Sequence, residues 1–171
     1  IYYHPKGWFY VDVFFDKLLV ANHPINFVGR LELDYPTATV TDILLEKLQM
    51  WEAFSAKDLK DCLLLLKTHA VEEKANKESI DASYMAKLLS EDWGFWYTAT
   101  TNLKKIKKFV SEIEKFGAEV GIDSSRLENK ELDEIASKIE KLLERMEREP
   151  KSFRWKMRAK IGTKQRWYNP V

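Results

Sequence analysis

The sequence predicts an α+β fold: a small N-terminal β-sheet followed by a predominantly α-helical region. Two observations carry this. The first 34 residues are dense in aromatic and β-branched side chains and are punctuated by turn formers. After Pro36, apolar residues recur at helical spacing almost to the C-terminus. At 171 residues and 45% hydrophobic, the chain suits one domain, or one domain with an appendage, and can fill a real core.

The elements follow in order. Residues 1–3 and 8–15 read as the arms of a hairpin around His4-Pro5-Lys6-Gly7, a turn sequence. Alternation places Phe9, Val11, Val13 and Phe15 on one face of the second arm and Trp8, Tyr10, Asp12 and Phe14 on the other. A further strand is expected over residues 27–33. So small a sheet is marginal alone and calls for helix cover or more strands. Thr41 is the expected N-cap of a first helix carrying Ile43, Leu44, Lys47, Leu48 and Trp51. Ser55 caps a second, with Asp58 at capping-box distance and a stripe of Leu59, Cys62, Leu63 and Leu66. Residues 72–79 read as a polar loop and 80–91 as a helix, followed by an aromatic knot over 92–97 buried between helices. A long helix is expected over 101–120, ended by Gly117 and Gly121. Another runs from Asn129 to Arg148 with Leu132, Ile135, Ile139, Leu142 and Met146 inward, stopped by Pro150. These last two suggest an antiparallel helical hairpin. The expected division is therefore 1–40 for the strands, 41–100 for the helices packed on them, and 101–171 for the hairpin with a basic, aromatic tail.

Composition narrows the function. A net charge of +1 does not mark the whole chain as a polyanion binder, so any such role must come from local charge. Cys62 is the single cysteine, which excludes an internal disulfide and fits a reducing cytoplasm. No apolar run approaches the roughly 18 residues of a membrane-spanning helix. An N-terminal Ile1 in place of Met is expected of a chain that continues upstream, and equally of a processed one.

Two groups of residues have chemical potential. Asp12 sits among large apolar side chains, where an ionised carboxylate needs a partner. A Mg2+ ion is one candidate, since it takes oxygen ligands; an arginine, or simple exposure on an edge strand, would also do. Lys47 lies among apolar positions of its helix, so its stem can pack on the core while its ammonium emerges as a phosphate ligand would. Asp58 and Asp61 are three apart at the start of the next helix and share a face. The plainer reading of all three is capping, dipole complementarity and a lysine reaching to solvent.

Several motifs stand in a telling order: Val11-Asp-Val-Phe-Phe-Asp16, Arg30-Leu-Glu-Leu-Asp-Tyr-Pro36, Asp42-Ile-Leu-Leu-Glu-Lys-Leu-Gln49 and Lys57-Asp-Leu-Lys-Asp61. Leu88-Leu-Ser-Glu-Asp-Trp-Gly94, Arg154-Trp-Lys-Met-Arg-Ala-Lys-Ile-Gly162 and Arg166-Trp-Tyr168 continue it. Together they resemble a family of archaeal and bacterial nucleotidyltransferase-like proteins with the polymerase-beta-like fold. The resemblance covers nearly the whole chain and implies that its strands are a remnant of that fold's sheet. In that superfamily three strand carboxylates hold divalent metal, which positions a nucleoside triphosphate for attack at the α-phosphorus. By this resemblance Asp12 is the third carboxylate, catalytic and Mg2+-binding. Lys47 contacts the triphosphate, Asp61 is the helical aspartate, and Asp58 is its neighbour in the nucleotide site. The first two carboxylates, an Asp-x-Asp pair after a glycine turn, occur nowhere in these 171 residues. Nucleotide transfer by this chain alone is therefore not expected. The missing part would lie upstream or on a separate chain, or activity would be lost.

The tail, residues 151–171, holds seven cations, among them Arg154, Lys156, Arg158 and Lys160, and no acidic residue. Phe153, Trp155, Trp167 and Tyr168 are interleaved. Cations on phosphates with aromatics on unpaired bases make an RNA- or DNA-contacting strip. An amphipathic helix packing its aromatics on the body would look the same. His4, His23 and His69 lack metal-ligand spacing. Three functions follow as expectations: a nucleotidyltransferase-related protein, a non-catalytic nucleic-acid-binding module, or an interaction subunit whose sheet edge pairs with a second copy or a complementing chain.

Overall fold

A computed structural model describes residues 1–20, 23–74 and 78–169. Small strands come first and helices follow, as the residue pattern requires. Strand β1 (Tyr2–Tyr3) pairs antiparallel with β2 (Tyr10–Val11), in register Tyr2 with Val11 and Tyr3 with Tyr10. The turn is closed by His4 N–H donating to the Phe9 carbonyl at 2.9 Å, with Gly7 at φ +68. The alternation expected of this arm buries neither face: Trp8, Phe9, Tyr10, Val11, Val13, Phe14 and Phe15 are all exposed.

A second antiparallel pair joins β3 (Lys17–Val20) to β4 (His23–Asn26), and its Leu18 and Ile25 enter the core. The strand expected over 27–33 is instead a run of turns. Arg30 N–H donates to the Phe27 carbonyl and Leu33 N–H to that of Arg30, with Gly29 at φ +71. The physical reason is Arg30, whose guanidinium is drawn inward to a buried carboxylate, as described below.

Helix α1 (Val40–Leu48) starts two residues earlier than expected. Thr39, not Thr41, caps it, its hydroxyl accepting from Asp42 N–H. Thr41 is buried and its hydroxyl accepts from Asp81 N–H at 2.9 Å. Helix α2 (Ala56–Thr68) has the full Ser55–Asp58 capping box read from the sequence. The expected polar loop holds a parallel bridge between β5 (Ala70–Glu72) and β6 (Ser79–Asp81); its middle, residues 75–77, lies outside the described residues, as do residues 170–171 of the tail. Helix α3 (Ala82–Glu91) leads directly into α4 (Trp93–Ser111), so the aromatic knot forms the first turns of α4. Trp93 and Phe95 are buried there, with Trp96 and Tyr97 partly so.

The helix expected over 101–120 breaks after Ser111 into α5 (Ile113–Phe116) and a 3-10 turn. A Cβ at Gly117 would meet the Ile113 carbonyl at 2.6 Å, so glycine alone lets the chain fold back there. Helix α6 has the expected bounds, Asn129–Arg148. It lies antiparallel to α4: Lys107 pairs with Glu140, while Trp155, beyond its far end, meets Trp96. Ile135, Ile139, Leu142 and Met146 are buried against α3, α4 and α2. Lysines fasten this helix to older parts of the chain, Lys138 donating to the Leu66 carbonyl and Lys141 to that of Val71. Helix α7 (Phe153–Ile161) then crosses back over α3 and α4. One buried cluster runs from Leu18 and Ile25 through Leu44, Leu48 and Leu103 to Met146, and α4 passes through positions 100 and 101 without interruption. Among the described residues no helix is long and apolar enough to cross a membrane.

Candidate functional site

Lys47 stands in the last turn of α1, Asp58 at the third position of α2 and Asp61 one turn further on. The packing of α1 on α2 brings them together. Lys47 Nζ lies 3.1 Å from Asp61 Oδ2 and 3.7 Å from Asp58 Oδ1. Asp58 divides its oxygens: Oδ2 accepts from Ser55 N–H at 3.0 Å and from the Ser55 hydroxyl at 2.7 Å, while Oδ1 faces the ammonium. The capping box thus fixes the rotamer of one carboxylate that holds Lys47.

Burial works against the charge on Lys47, but the hydrogen bond and charge of Asp61 outweigh it, with Glu46 and Asp58 adding to them, and its pKa is raised. Burial likewise opposes ionisation of Asp58. The hydrogen bonds from Ser55 and the charge of Lys47 prevail, and its pKa is lowered. Lys47 and Asp58 are therefore both ionised at neutral pH. The side chains of Lys47, Asp58 and Asp61 are 21%, 14% and 37% exposed, so the trio forms a partly open surface site. A lysine ammonium has three N–H donors, and two carboxylates leave one for an incoming oxygen. Beneath it Cys62 is fully buried, and burial first, with the two aspartates, pushes its thiol up to about 12.

No protein-family model, no curated protein and no solved structure matches this chain.

Asp12 is exposed, just beyond β2. Among the described residues no group of three or more His, Cys, Asp or Glu is placed to hold a metal ion. The residues present therefore do not make a Mg2+ site by themselves; Asp12 fits one only as a single ligand.

Two ionic sites escaped the sequence reading. Arg30 Nε donates to both oxygens of Asp42, at 2.8 and 2.9 Å, and its guanidinium lies 3.5 Å from the Tyr84 ring centre. Asp42 also accepts from the Thr39 hydroxyl at 2.7 Å, and its side chain is 1% exposed. The signal was available: an aspartate among Ile43, Leu44 and Leu45 needs a cation, and Arg30 is the nearest one upstream. His23, buried in β4, lies with Nδ1 3.4 Å from Asp92 Oδ2 and its ring stacked on Phe95 at 5.0 Å. Burial tends to raise the Asp92 pKa, but His23 and the N–H groups of Phe95 and Gly94 hold it below the usual value.

The tail divides. Trp167 donates from Nε1 to the Thr98 hydroxyl at 3.0 Å and meets Trp51, Trp93 and Tyr97 edge-on at 4.9–5.8 Å. Tyr168 donates to Glu52. Arg158 lies 4.8 Å over Trp93 and donates to the carbonyls of Gly162 and Gln165. Arg154, Lys156 and Lys160 point outward and are exposed. The packed-helix expectation therefore describes Arg158, Trp167 and Tyr168, while Arg154, Lys156 and Lys160 are left exposed.

Proposed function

We propose that this chain belongs to a nucleotidyltransferase-related protein and supplies the phosphate-holding part of its site. The observation that carries the reading is the meeting of Lys47, Asp58 and Asp61, which the order of motifs singles out from separate helices. Lys47 offers its free N–H to a phosphate oxygen of a nucleoside triphosphate. Asp61, with Asp58 held by Ser55, keeps the ammonium charged and aimed. The three charges sum to a net negative, so the triphosphate approaches as its metal complex rather than as a bare anion. Asp12 would contribute one carboxylate to Mg2+; among the described residues no group of three or more His, Cys, Asp or Glu is placed to supply the rest. The Mg2+ ion, when bound, supplies charge neutralisation of the phosphates; no step of transfer is assigned to this chain alone.

The exposed aromatic hairpin supports the same reading. Side chains such as Trp8, Phe9 and Phe15 suit a strand pair that packs on further strands. Titration calorimetry with ATP, GTP, CTP and UTP in MgCl2, on the protein expressed from its own gene, tests the Lys47 role. Lys47→Ala is expected to weaken binding of the preferred nucleotide about tenfold, the loss of one charge-assisted hydrogen bond. Equal affinity in the two proteins would remove Lys47 from the site.

A further inference from the structure

Helix α7 has two unlike sides. The inner side is fixed to the body: Trp155 meets Trp96 edge-to-face at 5.2 Å, and Arg158 is committed to Trp93 and two carbonyls. Lys151, just before it, donates to the carbonyls of Met146, Glu147 and Glu149 at the end of α6. The outer side carries Phe153, Met157 and Ile161, spaced four apart and 79%, 45% and 42% exposed. Beside this apolar row lie Lys156 and Lys160, four apart on the helix, with Lys164 beyond its end in the 3-10 turn Gly162–Lys164, and Arg154 on the other flank. Among the described residues these four cations make no side-chain hydrogen bond or ion pair. No acidic side chain occurs after Glu149.

We propose that the outer face of α7 binds single-stranded nucleic acid. Lys156 and Lys160, about 6 Å apart along the helix, with Arg154 and Lys164 flanking them, form a track for a phosphate backbone. The adjacent apolar row offers its most exposed member, the Phe153 ring, to an unstacked base. Next to it a cleft of about 540 Å3 opens between α7 and the start of α4, walled by Asp92, Trp93, Arg154, Met157 and Lys160. That size takes one nucleotide-sized group. Glu91 and Asp92 line the cleft and repel phosphate, so the backbone follows the outer lysines and a base enters the cleft. Charge complementarity decides the occupant. Four unpaired cations without a competing acid on the same segment suit a polyanion, and three apolar side chains are too small a face for lipid insertion.

The test is fluorescence anisotropy of a labelled oligouridine dodecamer against salt. With four phosphates neutralised on a single strand, the plot of log affinity against log salt has an expected slope of about −3. Changing Arg154, Lys156, Lys160 and Lys164 all to Gln flattens the slope towards zero and lowers affinity at least tenfold at low salt. Phe153→Ala lowers affinity about tenfold and leaves the slope alone, since stacking releases no counterions. The side chains changed hold nothing else in the fold, so melting temperatures stay unchanged. Three results overturn the proposal: no binding at low salt, a slope unaffected by the fourfold change, or equal affinity for a duplex of the same length. Binding of phosphatidylserine vesicles without binding of the oligonucleotide would assign the face to lipid instead. No nucleoside triphosphate enters the assay, so a negative result leaves the nucleotide-transfer reading untouched.

Discussion

Arg30 and Asp42 are the pair on which the start of the helical body depends. Asp42 is almost wholly buried, and Arg30 faces both its oxygens. Arg30→Met leaves that carboxylate uncompensated and is expected to cost about 3–5 kcal/mol in chemical denaturation. The double change Arg30→Met, Asp42→Leu should recover much of it, because apolar groups of similar size replace a buried pair at little cost. A loss near zero for the single change would mean that Asp42 is satisfied elsewhere. Asp58 gives a pH dependence of known sign. Its folded pKa lies below the ordinary 3.8. The stability it adds is therefore present above that value and is lost as pH falls through the folded one. The difference in melting temperature between wild type and Asp58→Asn should be constant above about pH 5 and shrink below pH 3.8. A difference that grows on acidification would contradict the capping and ion-pair geometry. Cys62, buried and with its thiol near 12, should react with Ellman's reagent at pH 8 only after denaturant is added.

At the scale of elements, aromatic edges and caps set the boundaries. Trp167 joins the tail to α4 through Thr98 and a ring of Trp51, Trp93 and Tyr97. Gly94 sits under it, where a Cβ would come within 3.1 Å of both His23 and Trp167. Trp167→Ala should cost about 3 kcal/mol, the lower end for a tryptophan that is only partly buried, and should expose the tail to trypsin. An unchanged digestion pattern would show that Trp155 and Arg158 hold the tail without Trp167. Helix α6 was legible to the residue because its apolar stripe has no interruption and Pro150 ends it. The Ser55–Asp58 cap was legible because the box is a local motif. What escaped was long-range. Residues 27–33 look β-forming, yet Arg30 is recruited by a carboxylate twelve positions on. Residues 72–79 look like a loop, yet their ends pair in parallel once α6 covers them. Two threonines near 40 compete as caps, and only the partner of Asp81 N–H decides that Thr41 turns inward. In the candidate site, Lys47, Asp58 and Asp61 were named from the order of motifs, whereas spacing alone favoured ordinary capping. Their meeting depends on how α1 packs on α2, which no single helix encodes.

The whole molecule contrasts a helical body that closes on one core with an N-terminal hairpin that does not enter it. The aromatic side chains of residues 1–15 are exposed on both faces, while the core begins at Leu18. Replacing Trp8, Phe9 and Phe15 by Ser should therefore leave the denaturation midpoint within about 0.5 kcal/mol of wild type, as for other surface changes. The same triple change should lower binding of an apolar dye such as ANS. A large loss of stability would show that the hairpin packs on the body after all. That exposed hairpin carries Asp12 and the helical body carries Lys47, and the proposed nucleotide-transfer reading draws on both. The most direct measurement is transfer of radiolabel from α-32P nucleoside triphosphates by the protein expressed from its own gene, in MgCl2, with Lys47→Ala and Asp12→Ala alongside. Label incorporation by wild type, reduced at least tenfold by Lys47→Ala and at least a hundredfold by Asp12→Ala, is the expected result, on the scale of losing an electrostatic contact to the reacting phosphates. Equal incorporation by all three proteins would contradict it.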